Sequence, residues 1–325
     1  MTGQYRVMIE NAYIRYEFEI LRNITVIRGQ SASGKTTLFE MIRAYQEEED
    51  SGIRLQCDKA LVAVYGKDWR KRLAEISDSI VFLDEQSRFV KSREFAEVVK
   101  KSDNYYVIIT RERLDELPYS VTEIYGIRLK GKYAGLTGEF STNEFYRIYG
   151  KSPMQMFRPD TIITEDSNAG YEFWEKVSGA ERCISAEGKT KVLGVLRKME
   201  SSGQKCLAIV DGAAFGAEME EVLQYIKYRN PVAEVYAPES FEYLLLISGL
   251  FRDTEVKKKC HNTADYVESS KYISWERVYT ALLTELTRDT EMQYSKKKLN
   301  FYYLSERNRK LILETLPDNL VFKDA

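Results

Sequence analysis

The residues best placed by type and spacing to do chemistry are Gly29-Gln30-Ser31-Ala32-Ser33-Gly34-Lys35-Thr36. They fit G-x-x-x-x-G-K-[ST], the pattern of a loop that cradles phosphates between a strand and a helix. A triphosphate needs several main-chain N–H groups pointing inward, and Gly29 and Gly34 let the loop curl with no Cβ in the way. Lys35 can reach the β- and γ-phosphates, the Thr36 hydroxyl is placed to ligate Mg²⁺, and Thr37 completes the nucleotide contacts. Two carboxylates, Asp84 and Glu85, follow the apolar run Ser79-Ile80-Val81-Phe82-Leu83. There Asp84 would hold the Mg²⁺ indirectly and Glu85 would orient and deprotonate the attacking water, since phosphoryl transfer is mostly positioning and charge neutralisation. A third apolar run, Tyr105 to Ile109, exits into Thr110-Arg111-Glu112-Arg113. Arg111 or Arg113 could stabilise transition-state charge from that position, or stand simply solvated.

These groups require particular elements beneath them. Ile24, Val26 and Ile27 form a short β-branched run ending at Gly29, which predicts a buried strand. Leu38, Phe39, Met41 and Ile42 recur at helical spacing after Gly34, so a helix starts there and adds its partial positive charge to the loop. The runs at 79–83 and 105–109 are apolar at nearly every position, as strands covered on both faces are. Two prolines and a glycine between Tyr149 and Pro159 mark a domain boundary. Beyond it strand-like and helix-like stretches alternate: 161–164 with 171–177, 182–185 with 190–199, 207–210 with 219–228, and 232–236 with 241–250. Such alternation predicts a second parallel sheet with crossover helices. From about residue 255 the pattern turns helical, with Trp275, Val278, Tyr279, Leu282, Leu283 and Leu286 on one face.

The 325 residues suggest two domains at about 150 residues each. The expectation is an α/β chain: two parallel-sheet, three-layer domains at 1–150 and 160–255, then a helical C-terminal extension at 256–325. With 44% hydrophobic and 30% charged residues, collagenous, mucin-like and disordered classes fall away. A net charge of −2 gives no chain-wide basic field, so any nucleic-acid contact must be a local patch. No apolar run is long enough for a membrane span, and the amino terminus carries no apolar signal segment, so a cytoplasmic protein with no membrane partner is expected. Four scattered cysteines and a single histidine, His261, fit neither a zinc finger nor a disulfide framework.

Residues 20–130 resemble the P-loop NTPase superfamily, in the additional-strand branch where a glutamate directly follows the Walker B aspartate. VFLDEQSRFV and YYVIITRERL are loosely similar to the ATPases of filamentous-phage assembly and of zonula-occludens-toxin type proteins. An ABC ATPase fits less well, because Lys35 and Asp84 are only 49 positions apart and no LSGGQ-like stretch precedes the second motif. No NKxD motif follows, which favours ATP over GTP. In the second half, IITEDSNAGYEFW, LAIVDGAAFGAEMEEV and APESFEYLLL resemble the Toprim fold of topoisomerases, primases and OLD-type nucleases. That resemblance implies Mg²⁺ held by Glu165 and Asp211, which follow the first and third strands, although Ala213 replaces the second aspartate of the family's D-x-D. Glu239 and Glu242 stand near the fourth strand's end.

The combination implies an ATP-binding and ATP-hydrolysing protein, with Lys35, Glu85 and Arg111 as catalytic groups, whose nucleotide state controls a Toprim-like effector. Fused P-loop and Toprim-like domains resemble bacterial defence and mobile-element proteins that answer to foreign nucleic acid. A Mg²⁺-dependent nuclease is the sharpest form of this reading. The alternatives are an ATP-driven scaffold with an inactive second domain, and a P-loop kinase in which Arg70-Lys71-Arg72 stands in for a lid. Partners beyond ATP would be nucleic acid or another protein. The arginine that completes the site comes from this chain or a neighbouring copy, so a homo-oligomer is expected. Lys257 to Lys259 and Lys296 to Lys298, with Tyr294, Phe301, Tyr302 and Tyr303, could grip a nucleic-acid strand or lie as solvated faces over an aromatic core.

Overall fold

The computed structural model describes residues 1–29, 34–130, 141–149 and 156–322. Gln30, Ser31, Ala32 and Ser33, and part of the expected boundary at 150–155, lie outside the described residues. The chain falls into two compact units, Met1–Gly150 with Ala264–Ile273, and Lys151–Thr263 with Ser274–Ala325.

The first unit is built on a nine-stranded sheet. Its strands are β1 (Tyr5–Glu10), β2 (Ile14–Ile20), β3 (Ile24–Ile27), β4 (Arg54–Gln56), β5 (Ala60–Ala63), β6 (Ser79–Leu83), β7 (Tyr105–Ile109), β8 (Ile124–Lys130) and β9 (Ser141–Arg147), in the order β4-β1-β2-β9-β8-β3-β7-β6-β5. The block β8-β3-β7-β6-β5 is parallel throughout. The expectation of a wholly parallel sheet is corrected by the remainder, where β1 runs antiparallel to β2 and β4, and β8 antiparallel to β9. The sequence shows why the two parts differ. Strands β3, β6 and β7 are buried at every position, whereas β2 alternates, with Tyr16, Phe18 and Ile20 inside and charged residues between them; a strand covered on one face needs apolar residues only at every second place.

Strand β7 lies between β3 and β6, with Val26 opposite Ile108 and Val81 opposite Tyr106. The phosphate-loop segment after β3, Thr110 after β7 and Asp84 after β6 therefore leave the same edge of the sheet. Helix α1 (Lys35–Glu47) buries Leu38, Phe39, Met41 and Ile42 in a core shared with Ile27, Ile80, Phe82, Val107 and Ile109. Side chains of this kind contribute about 1.5–3 kcal/mol each when fully buried, so the loop springs from a rigid base. Helices α2 (Trp69–Ala74) and α3 (Arg93–Lys101) follow β5 and β6. The 264–273 segment is tied into this unit by Ser269 N–H to the Met1 carbonyl at 3.0 Å and by Asn23 Nδ2 to the Ile273 carbonyl at 3.1 Å.

The second unit carries a four-stranded sheet of β10 (Thr161–Thr164), β11 (Cys183–Ser185), β12 (Cys206–Ile209) and β13 (Ala233–Tyr236), all parallel in the order β11-β10-β12-β13. The helices are α4 (Ala169–Ser178), α5 (Val192–Met199), α6 (Gly216–Tyr228), α7 (Phe241–Ile247), α8 (Thr254–His261), α9 (Trp275–Leu286) and α10 (Glu306–Leu313). The stretch expected as a separate extension at 256–325 is divided instead. Apart from 264–273 it belongs to this unit, and Tyr279, Leu283, Tyr294, Tyr303 and Ile312 share one core with Phe173, Trp174 and Leu244 to Leu246. The physical reason is area: a four-stranded sheet with short strands leaves apolar helix faces that the carboxy-terminal helices cover. Cys183, Cys206 and Cys260 are buried free thiols, and burial pushes the last two up to about 11.

Candidate functional site

In the first unit the described ends of the expected loop, Gly29 and Gly34, are both glycines with positive φ. Gly29 has φ +139°, and Gly34, at the amino end of α1, has φ +84°, a left-handed conformation that favours glycine. A Cβ on Gly34 would also stand 2.9 Å from the Tyr16 hydroxyl, which donates to the Gly34 carbonyl at 2.7 Å. Tyr16 is fully buried, and burial pushes its hydroxyl up to about 12, opposed by Thr37. Tyr16 was not among the residues the motif singles out. Its signal was the alternation of β2, which aims Tyr16 toward the loop.

Lys35 is 5% exposed, and its ammonium donates to the Gly29 carbonyl at 2.8 Å, across the mouth of the loop. Burial lowers its pKa from the ordinary lysine range, while Glu85 raises it and Arg111 lowers it further. A cation that has lost water in this way is stabilised by an anion at the loop. Thr36 is exposed and Thr37 half-buried on the first turn of α1. The Asp84 carboxylate accepts from the Ser87 hydroxyl at 2.9 Å, and Ser87 N–H donates to the Asp84 carbonyl at 3.0 Å. Two residues beyond that turn, the Phe89 ring stacks on Trp69 at 4.5 Å. Glu85 is exposed and pairs with Arg111 at 3.1 Å, which brings together two of the expected catalytic groups. Arg113 turns aside to Asp115. Of the three basic residues considered as a lid, Arg70 pairs with Glu94 and lies over Trp69, and Arg72 lies over Tyr65 at 4.5 Å.

In the second unit Glu165 and Asp211 leave the carboxyl ends of the neighbouring strands β10 and β12, and Asp211 N–H donates to Glu165 Oε2 at 3.2 Å. The close approach beside them needs glycine: a Cβ on Gly212 would lie 2.5 Å from the Ala237 carbonyl oxygen. Both acids line a small pocket of about 40 Å³ with Glu242, Tyr294 and Lys296, a space of water size. Glu242 is buried and accepts from the Tyr294 hydroxyl at 2.8 Å. Burial raises Glu165 to about 7, the Asp211 N–H opposing and Glu276 adding. Burial also drives Asp211 well above the usual carboxylate range, with Glu276, Glu165 and Glu242 adding and Lys296 opposing. Lys296, hydrogen-bonded to Glu276, is held above the ordinary lysine range by the surrounding acids against the effect of its burial.

This arrangement tests the fit of Mg²⁺. Among the described residues, no group of three or more His, Cys, Asp or Glu side chains is arranged to hold a metal ion, and Ala213 is buried where the resemblance calls for an acid. Glu165 and Asp211 come together as a pair, so a Mg²⁺ there would depend on water and substrate phosphate oxygens for the rest of its six ligands. Thr36, on the first turn of α1, and Asp84, after β6, offer the same kind of partial oxygen set. Lys296 was read as part of a surface cluster; no spacing in the sequence marks it as an internal cation. Of the aromatic residues grouped with it, Tyr294 and Tyr303 are buried in the core while Phe301 stays 82% exposed.

No family model, curated protein or solved structure matches the chain.

Proposed function

We propose that the first unit binds ATP with Mg²⁺ and hydrolyses it, and that its nucleotide state controls the second unit. One observation carries the reading: Lys35, buried and partly stripped of water at the amino end of α1, stands within the field of the Glu85–Arg111 pair on the adjoining strand ends. The order β3-β7-β6, with one strand between the loop strand and the acid strand, supports the additional-strand P-loop resemblance. Gly29, Gln30, Ser31, Ala32, Ser33, Gly34, Lys35, Thr36 and Thr37 would hold the nucleotide, and Thr36 and Asp84 its Mg²⁺, which supplies charge neutralisation on the phosphates. Lys35 would exchange the Gly29 carbonyl for phosphate oxygens. Glu85 would release Arg111, orient a water and take its proton, leaving Arg111 to face the charge that develops on the phosphoryl oxygens. The exposed Glu85–Arg111 pair is worth only about 0–1 kcal/mol, so breaking it costs little. The reading places the reaction in the cytoplasm, and no helix among the described residues is long and apolar enough to cross a membrane.

The test is calorimetric. Lys35→Ala is expected to weaken ATP binding by about a hundredfold or more, the worth of a charge-assisted hydrogen bond to phosphate at its upper range. Unchanged affinity in a folded variant would defeat the proposal, and phosphate arriving on an acceptor other than water would make the protein a kinase.

For the second unit, a Toprim-like effector with Glu165 and Asp211 as partial Mg²⁺ ligands remains the sharper proposal, and metal-dependent nicking lost in Asp211→Ala would support a nuclease. The scaffold reading rests on a specific observation, the ammonium of Lys296 among the acids together with Ala213. ATP turnover without cleavage would favour it.

A further inference from the structure

Away from the acid cluster, the second unit has a groove of about 730 Å³ between the end of α4, with the turn that follows it, and one face of α10. The face is set by helical spacing: Glu306, Arg309, Lys310 and Leu313 stand at i, i+3, i+4 and i+7 and share one side. Lys176 and Arg182 face them across the groove. Among the described residues none of these four cations has a carboxylate within ion-pair distance. Elsewhere on the surface cations are commonly engaged, as Arg6 is with Glu17, Arg43 with Glu40, Lys91 with Glu112 and Arg288 with Glu285. Glu181 and Glu306 share the lining and leave it net positive. In a chain of net charge −2, a concave basic surface without partners is a local field suited to a polyanion.

An aromatic residue accompanies it. The turn Phe301–Leu304 packs against both α4 and α10, and Phe301 on that turn keeps its ring in water. Phe301 is outside the groove's lining, but its turn meets both helices that form the groove; cations on the groove and an exposed ring on that turn match the needs of an unpaired strand, whose backbone is charged at every residue and whose bases stack on flat side chains. The position also matters. Residues 176–182 lead into β11 and so lie at the amino ends of the parallel strands, whereas Glu165 and Asp211 follow their carboxyl ends. The groove is therefore a surface separate from the acid pocket.

We propose that this groove holds single-stranded nucleic acid, with Lys176, Arg182, Arg309 and Lys310 on its phosphates and Phe301 stacked on a base. The proposal stands independently of ATP hydrolysis and of cleavage at Glu165 and Asp211, because binding is read in EDTA without nucleotide. The probe is a fluorescein-labelled oligothymidylate of about 20 nucleotides, followed by anisotropy across a salt series. Four phosphate contacts predict a slope of log affinity against log salt near −2.8, from about 0.7 per contact on a single strand. Arg309→Glu with Lys310→Glu is expected to lower affinity at least tenfold and to flatten the slope by about 1.4. Phe301→Ala is expected to weaken binding about fivefold with the slope unchanged, since stacking releases no counterions. Should the double reversal unfold the protein, Lys176→Gln with Arg182→Gln replaces it and carries the same flattening. Lys198→Glu with Lys227→Glu, exposed on α5 and α6, is the control for net charge and is expected to leave binding unchanged. The proposal is overturned by absence of binding to the full chain, by groove variants that bind like the wild type, or by equal loss in the control. Polyglutamate competing as well as unlabelled oligonucleotide would also overturn it and assign the groove to an acidic protein.

Discussion

Glu85 and Glu165 each stand one or two residues beyond the end of a parallel strand, and their surroundings differ. Glu85 is exposed and paired with an exposed arginine, while Glu165 faces a water-sized pocket shared with other acids and is pushed up to about 7 by burial. The charge left over differs in sign as well. In the first unit the group deprived of water is a cation, Lys35, which an anion would stabilise. In the second the deprived groups are carboxylates, and the chain brings its own cation, Lys296, toward them. Equal placement at strand ends therefore gives one site with a buried cation and one with buried carboxylates, and the proposed phosphate site is the first.

The largest effect separating the two sites is expected from Glu85→Gln. This variant keeps the shape and the hydrogen bond toward Arg111 but cannot accept a proton, so ATP binding should persist while turnover falls about 10²- to 10⁴-fold. Steady-state phosphate release with binding measured in parallel checks it. Turnover within a factor of two of the wild type would remove Glu85 from the chemistry of the first unit.

A smaller effect sharpens what makes the first site: its backbone. Gly34→Ala forces a residue with a Cβ to φ +84° and brings that Cβ to 2.9 Å from the Tyr16 hydroxyl. Strain of this kind costs about 1–3 kcal/mol, read as a lowered denaturation midpoint together with weakened ATP binding. Tyr16→Phe in the same background removes the clashing oxygen and is expected to recover part of the stability, because the left-handed backbone still strains the alanine. Full recovery would mean that the contact and not the dihedral angle carries the cost.

How much of each site could be read beforehand follows from the same contrast. A phosphate loop is contiguous in sequence, since its donors are main-chain amides and its glycines and lysine must sit at fixed offsets, so the motif from Gly29 to Thr36 could be proposed from sequence alone. Continuous apolar runs revealed β3, β6 and β7 because both faces of those strands are covered. β1, β2, β8 and β9 lack unbroken apolar stretches, because their burial alternates or is partial, so they carry no continuous apolar signal. Tyr16 was hidden with them, although Tyr16, Phe18 and Ile20 spell a period of two. In the second unit, Glu165 and Asp211 were found through the strand ends. Glu242 stood among the acids read near the fourth strand, but Glu276, Tyr294 and Lys296 were not read as part of the site, because the helix Trp275–Leu286 and the segment after it bring them there from far along the sequence. No local pattern distinguishes Lys296 from Lys297 and Lys298, which remain exposed; only its neighbours Glu276, Glu242 and Asp211 do.

The smallest expected effect concerns the second site and runs with pH. At pH below about 4.5, the ordinary glutamate value, Glu165 is protonated whether the chain is folded or unfolded and leaves stability unchanged. Above it the unfolded chain releases the proton while the folded unit holds it to about 7. The folded state then binds more protons, so stability falls as pH rises across this window and stays lowered above it. Glu165→Gln removes the titration while keeping an acceptor for the Asp211 N–H, so it should gain on the order of 2 kcal/mol over the wild type at pH 8 and nothing at pH 4. Urea denaturation at the two values without divalent cations measures this, following the transition of the second unit. A variant that gains equally at both values would show that the replaced group matters for packing and not for its proton, and the acid cluster would then resemble Glu85 more closely than its burial implies.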